Sequence, residues 1–138
     1  MESRVEKAVS LFKQGYNCAQ AVFAAYADLF GIDEETALKL STPFGGGLAG
    51  MRGVCGTVSG MCMIAGLAKG TAKPNDKEGR KNCYDLTQLL IEKFRQENGS
   101  IICKQLLGLE PGLPEGYKKK PCVEKVRFCA ELIEKELM

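Results

Sequence analysis

Residues 43–60 read PFGGGLAGMRGVCGTVSG, seven glycines set around one cysteine, Cys55. Glycine in a helix interior costs about 1 kcal/mol against alanine, so this stretch must have a reason for them. GGGLAG, residues 45–50, satisfies G-x-G-x-x-G. That pattern cradles phosphate only after a strand and with an acid about 20 residues further on. Here Pro43 and a helical segment precede it and no Gly-Lys-Ser/Thr follows, so nucleotide binding is set aside. Two compatible readings remain. Gly46, Gly50, Gly53, Gly56 or Thr57, and Gly60 step by three and four, which on a continuous helix makes a bare strip for close packing. The same strip leaves Cys55 unshielded, so that another sulfur or a cluster can approach it. Disulfides need Cα atoms about 4.4 to 6.8 Å apart, closer than helix axes usually run.

Outward from this stretch the apolar spacing is helical almost throughout. Val5, Ala8, Val9 and Phe12 mark a first helix that GYN breaks, and a second runs from Cys18 to Phe30, ending at Gly31. Asp33 caps EETALKLS, which Pro43 stops, so Asp33, Glu34 and Glu35 are helix-start carboxylates rather than catalytic acids. A fourth helix leaves the glycine stretch and reaches Lys69. Residues 76–97 form a long amphipathic helix carrying Leu86, Leu89, Leu90 and Phe94. Ser100 caps a short helix to Leu107, and a last one runs from Pro121 to Leu137. No run alternates as a strand does. The expectation is all-α: a single-domain bundle of six to seven helices over residues 1–138, with a glycine-rich central helix.

Composition narrows the chemistry. The 138 residues carry 26% charged side chains and a formal net charge of +2, so no single-sign field calls for nucleic acid. Lys118-Lys119-Lys120 reads as a solvated loop. The N-terminus lacks a signal peptide's apolar run, and the uncharged stretch Val54–Ala68 is shorter than the roughly 20 residues of a membrane span. A cytoplasmic protein with no membrane span is expected. The chain has no histidine and no tryptophan. That removes Cys–His pairs, mixed Cys/His zinc sites, Ser–His triads and covalent haem through C-x-x-C-H, and makes base stacking improbable.

Against these absences stand seven cysteines, at 18, 55, 62, 83, 103, 122 and 129. In a cytosolic chain such usage points to redox or metal chemistry, and an odd total leaves one thiol unpaired in the monomer. Asn17 with Gln20 three residues on resembles a capping box that puts Cys18 at the first helical position. Ser100 as cap puts Cys103 in a first turn, Pro121 at the first helical position makes Cys122 the second, and a helix restarting at Gly53 puts Cys55 in its first turn. A helix N-terminus stabilises a thiolate by about 0.3 to 2 kcal/mol. That lowers a thiol pKa by roughly a quarter to one and a half units, and Arg52 near Cys55 and Lys119 and Lys120 near Cys122 would add to it. Cys62 and Cys129 lie seven residues after Cys55 and Cys122 and read as small buried residues. Cys83 either caps a helix or lies inside one.

The helix-start Cys18 in NCAQAV, the segment FGGGLAGMRGVCGTVSG, Cys103 in CKQLLG and Cys122 together resemble the redox-active family named for its cysteine pattern, C_GCAxxG_C_C. The family core, CGAxxG, stands here as Cys55-Gly56-Thr57-Val58-Ser59-Gly60, with threonine for alanine. The resemblance spans essentially the whole chain and maps the four family cysteines onto Cys18, Cys55, Cys103 and Cys122. It implies a redox role, in some accounts with a bound iron–sulfur cluster, and names no substrate.

Three functions follow. The first is a thiol-based oxidoreductase in which Cys18, Cys55, Cys103 and Cys122 exchange disulfides with an unidentified redox partner protein. C-x-x-C is absent, so any pair is long-range. The second makes the same four thiolates the ligands of zinc or an iron–sulfur cluster, although gaps of 37, 48 and 19 positions lack the usual tight pair. The third is a structural or interaction module whose cysteines only pack. A homo-oligomer is compatible with all three.

Overall fold

The computed structural model describes residues 1–138. Seven α-helices follow in order: α1 Val5–Lys13, α2 Cys18–Ala24, α3 Glu34–Ser41, α4 Gly56–Lys69, α5 Lys77–Asn98, α6 Cys103–Leu106 and α7 Cys122–Leu137. Single 3-10 turns lie at Ala27–Phe30 and Thr42–Phe44. The chain is an all-α single domain whose sole β pairing is an isolated bridge between Val54 and Ile102. No helix is long and apolar enough to cross a membrane.

Local chemistry sets the helix ends. Asn17 and Gln20 make a full capping box at the start of α2, each side chain accepting from the other's backbone N–H at 2.9 Å. Asp33 accepts from Thr36 N at 3.1 Å and starts α3, while Asp76 caps α5 through Gly79 N at 2.9 Å. Gly31 and Gly99, both left-handed, terminate the turn after α2 and the long α5. Four expected ends move. Helix α4 starts at Gly56, not Gly53, because backbone pairing with residues 101–103 holds residues 53–55, so Cys55 is its N-cap and not in its first turn. The second helix gives way after Ala24 to a 3-10 turn rather than running on to Phe30. Ser100 Oγ accepts from Ile102 N at 3.0 Å, so α6 starts only at Cys103. Pro121 stays extended as the cap of α7, which makes Cys122 its first residue, not its second.

Helices α2 and α4 lie against each other at the centre; α7 packs on α1, α2 and α4, and α5 on α4. One apolar cluster of 23 buried residues joins them. Phe23, Met61, Ile64, Leu90, Phe94 and Ile133 are each at most 1% exposed, and burying such a side chain contributes about 1.5–3 kcal/mol. Close approach of α2 to α4 depends on two glycines one turn apart. A Cβ on Gly60 would stand 3.0 Å from the Ala19 carbonyl oxygen, and one on Gly56 would stand 2.5 Å from Cys18 Sγ. The glycine-rich central helix is therefore present, but the strip is shorter than a continuous helix would give.

Residues 46–55 are not helical in the ordinary sense. Gly46, Gly47, Leu48, Ala49 and Gly50 all have positive φ, between 51° and 74°, forming a single left-handed turn. L-residues pay roughly 1–2 kcal/mol each in that conformation, which glycine avoids. The first glycines of the quoted stretch therefore reverse the hand of the chain, and only Gly56 and Gly60 smooth a helix.

Candidate functional site

The left-handed turn is pinned to the segment before α6. Cys55 N donates to Ile101 O at 2.7 Å, Cys103 N to Gly53 O at 2.6 Å, and Lys104 N to Arg52 O at 3.2 Å. This brings Cys55 and Cys103 together although 48 positions separate them in the chain. The turn itself lies on Cys103: a Cβ on Gly47 would stand 2.7 Å from Cys103 Cβ. From the other side α2 lays Cys18 on the bare backbone of Gly56, and α7 begins at Cys122.

Cys18, Cys55, Cys103 and Cys122 all line one cavity of about 190 Å³. Its remaining wall comes from Phe12, Asn17, Gly46, Arg52, Gly56, Thr57, Leu106, Leu107 and Lys125. Cys55 and Cys103 are buried, Cys18 and Cys122 half-buried, and all seven cysteines are free thiols. The four cysteines selected from helix starts thus share one cavity. Of the other three, Cys129 is fully buried as expected. Cys62 is half-buried, and Cys83 lies inside α5.

At Cys55 and Cys18 burial overturns the expected acidification. The Cys55 thiol is pushed up to about 11, chiefly by its loss of solvent, with Thr57 hydrogen bonding and the amide of Val58 only partly offsetting this. Cys18 is raised for the same reason, against the pull of the backbone N–H groups of Gly46 and Ala19. A thiolate at Cys122, and to a smaller degree one at Cys103, raises Cys18 further. The helix-end field is worth at most about 2 kcal/mol, and removal of water outweighs it here. The same cause pushes Cys62 up to about 11 and Cys129 well above the ordinary thiol range.

The cations also differ from expectation. Arg52 reaches Cys103, not Cys55, with Nη1 3.7 Å from Sγ. Lys120 turns away to the Glu97 carbonyl and carboxylate, each at 3.1 Å. The cation that enters the cavity instead is Lys125, on the first turn of α7. Sequence reading missed it, although it stands three residues after Cys122 on a helix, where i and i+3 share a face. In the sequence Thr57 stands out only as threonine where the family core has alanine. Its hydroxyl is 3.0 Å from Cys55 Sγ and also reaches Cys129.

Metal ligation finds less support in this donor set. No three cysteine, aspartate or glutamate side chains stand close enough together to hold a metal ion. The four thiols ring a cavity and do not converge on a point, so they do not fit zinc, whose sites need tetrahedral convergence near 2.3 Å.

A family model described as "Putative redox-active protein (C_GCAxxG_C_C)" matches residues 16–136. No curated protein and no solved structure matches the chain.

Proposed function

The chain belongs to the C_GCAxxG_C_C family of redox-active proteins, and from that premise we propose that it exchanges disulfides through Cys122 and Cys18. The observation that carries this reading is the shared cavity of Cys18, Cys55, Cys103 and Cys122, built from four separate parts of the chain. Within it, Cys18 and Cys122 are the two half-buried thiols. Cys122 heads the 16-residue α7 and is partly open to solvent, so a partner disulfide can reach it. Cys122 is therefore the attacking sulfur and Cys18, held protonated by burial, the resolving one.

The step balances as follows. The Cys122 thiolate attacks one sulfur of a partner disulfide, forming a mixed disulfide and releasing the other sulfur as a thiolate. Cys18 then attacks Cys122, releasing the second partner sulfur. Two thiols here become one disulfide, the partner disulfide becomes two thiols, and the protons pass with the electrons. Cys55 and Cys103 wall the cavity, Cys103 against Arg52.

Equilibration of the whole chain in glutathione buffers of graded potential, followed by acid quench, alkylation and peptide mass mapping, tests this. A reversible Cys18–Cys122 cross-link is expected, and Cys122→Ser abolishes it. Both thiols staying free across the series would sink the reading. So would iron and acid-labile sulfide held by the four cysteines in anaerobically purified protein.

A further inference from the structure

The cavity holds more positive charge than its thiols account for. Lys125 is only 2% exposed, and its Nζ has one acceptor, the Lys120 carbonyl at 3.1 Å, although an ammonium offers three hydrogens. Arg52 has only the Cys103 sulfur as a side-chain partner. Neither pairs with a carboxylate, and no aspartate or glutamate lines the cavity. Burying a cation without a counter-charge is expensive. One such cation, with the half-buried Arg52 beside it on the same hollow and no carboxylate on the wall, describes a site that an anion completes. At about 190 Å³ the hollow has room for a handful of waters, each taking about 30 Å³. That suits an ion of a few heavy atoms and is too small for a peptide.

Building on the disulfide-exchange reading, we infer that the cavity binds a small dianion carrying a transferable sulfur atom, held between Arg52 and Lys125 with that sulfur toward Cys122. Thiosulfate is the simplest such probe. The Cys122 thiolate forms a bond to the outer sulfur, the sulfur–sulfur bond of thiosulfate breaks, and sulfite leaves with the electron pair. Cys122 is left as a persulfide. The Cys18 sulfur then attacks the inner sulfur of that persulfide, and hydrosulfide departs with the Cys18 proton. Two thiols are oxidised to one disulfide, and thiosulfate is reduced to sulfite and sulfide. The two cations are what allow a dianion to approach a thiolate at all.

The experiment uses the whole reduced chain. Labelling of Cys18 and Cys122 by neutral iodoacetamide is mapped with and without sulfate, which matches the probe in charge and shape but has no sulfur to give. Sulfite release and the disulfide are then followed with thiosulfate, and with the uncharged 2-hydroxyethyl disulfide as a second oxidant. Sulfate is expected to slow labelling several-fold, and thiosulfate to yield one sulfite per Cys18–Cys122 disulfide. Lys125→Met and, should that variant not fold, the half-exposed Arg52→Gln lose at least tenfold in both readouts. Lys118→Met, on the exposed basic run, behaves as wild type. Oxidation by the uncharged disulfide with no sulfate protection and no sulfite overturns the anion site while leaving the exchange reading intact. Sulfate protection with no disulfide from either oxidant overturns the exchange reading and the sulfur-transfer step with it. An equal loss in Lys118→Met overturns the site as mere charge screening.

Discussion

Thr57 is fully buried, and its hydroxyl lies 3.0 Å from Cys55 Sγ. A mid-helix threonine commonly bonds the carbonyl four residues back, but at the second position of α4 that residue is Gly53, outside the helix. The hydroxyl turns to sulfur instead, and no buried side-chain oxygen or nitrogen is left without a partner. Thr57→Val keeps the shape and deletes the donor. It is expected to move Cys55 above its value of about 11 and slow its alkylation several-fold near pH 10, while Thr57→Ser restores the rate. The same thiols make stability pH-dependent. Cys18, Cys55, Cys62 and Cys129 all have raised folded-state pKa values, so above the unfolded thiol value near 8.5 the unfolded chain has lost protons the folded chain still holds. Their contribution is complete below that pH and is lost as pH climbs toward about 11. The thermal midpoint of the reduced protein should therefore fall between roughly pH 9 and 11. A flat midpoint across that window would remove burial as the cause of the shifts.

At the scale of elements, the left-handed turn and the start of α2 are the two pieces that set the cavity. Gly47 has φ +72° and no room for a Cβ, which would meet Gly53 N at 2.6 Å and Cys103 Cβ at 2.7 Å. Gly47→Ala combines strain with overpacking, each worth about 1–3 kcal/mol, and should lower the denaturant midpoint while altering labelling at Cys103. Asn17→Ala removes a cap worth about 1 kcal/mol and also the Asn17 Nδ2 bond to Thr42 O at 3.1 Å, so a loss somewhat above that is expected in urea unfolding. The capping signals of Asn17 and Asp33 were legible because they act within one turn. The hand of residues 46–50 was not: glycines spaced by three and four suit a right-handed strip as well as a left-handed turn, and only the pairing of residues 52–55 with 101–104 decides between them. The four cysteines could be picked from helix starts. The upward direction of the shifts at Cys18 and Cys55 could not, because burial is set by α2, α4, α6 and α7 together. Lys125 escaped notice because a lysine on an amphipathic helix is normally a solvated one.

For the molecule as a whole, a bond between Cys18 and Cys122 would join the first turn of α2 to the first turn of α7, elements that already pack together. It would close a loop of about 100 residues, for which the chain-entropy account gives close to 4.7 kcal/mol of destabilisation of the unfolded state. Two of the helices that meet at the core would then be tethered in the unfolded ensemble, so the oxidised protein should unfold at distinctly higher denaturant than the reduced one. The gain must fall short of the entropic ceiling if the site exchanges disulfides. A bond stabilised by the full amount would be so strongly favoured by the fold that partner thiols could not reverse it, because stability gained on oxidation appears, by linkage, as a lower reduction potential. Paired denaturation curves of the reduced and oxidised chain should thus differ by about 1–3 kcal/mol. Addition of a dithiol such as dithiothreitol should return the oxidised curve to the reduced one. A difference near zero would mean that the cross-link strains the cavity as much as it restrains the chain. One at the ceiling would make the bond a permanent staple, and the four thiols a folding device instead of a redox site.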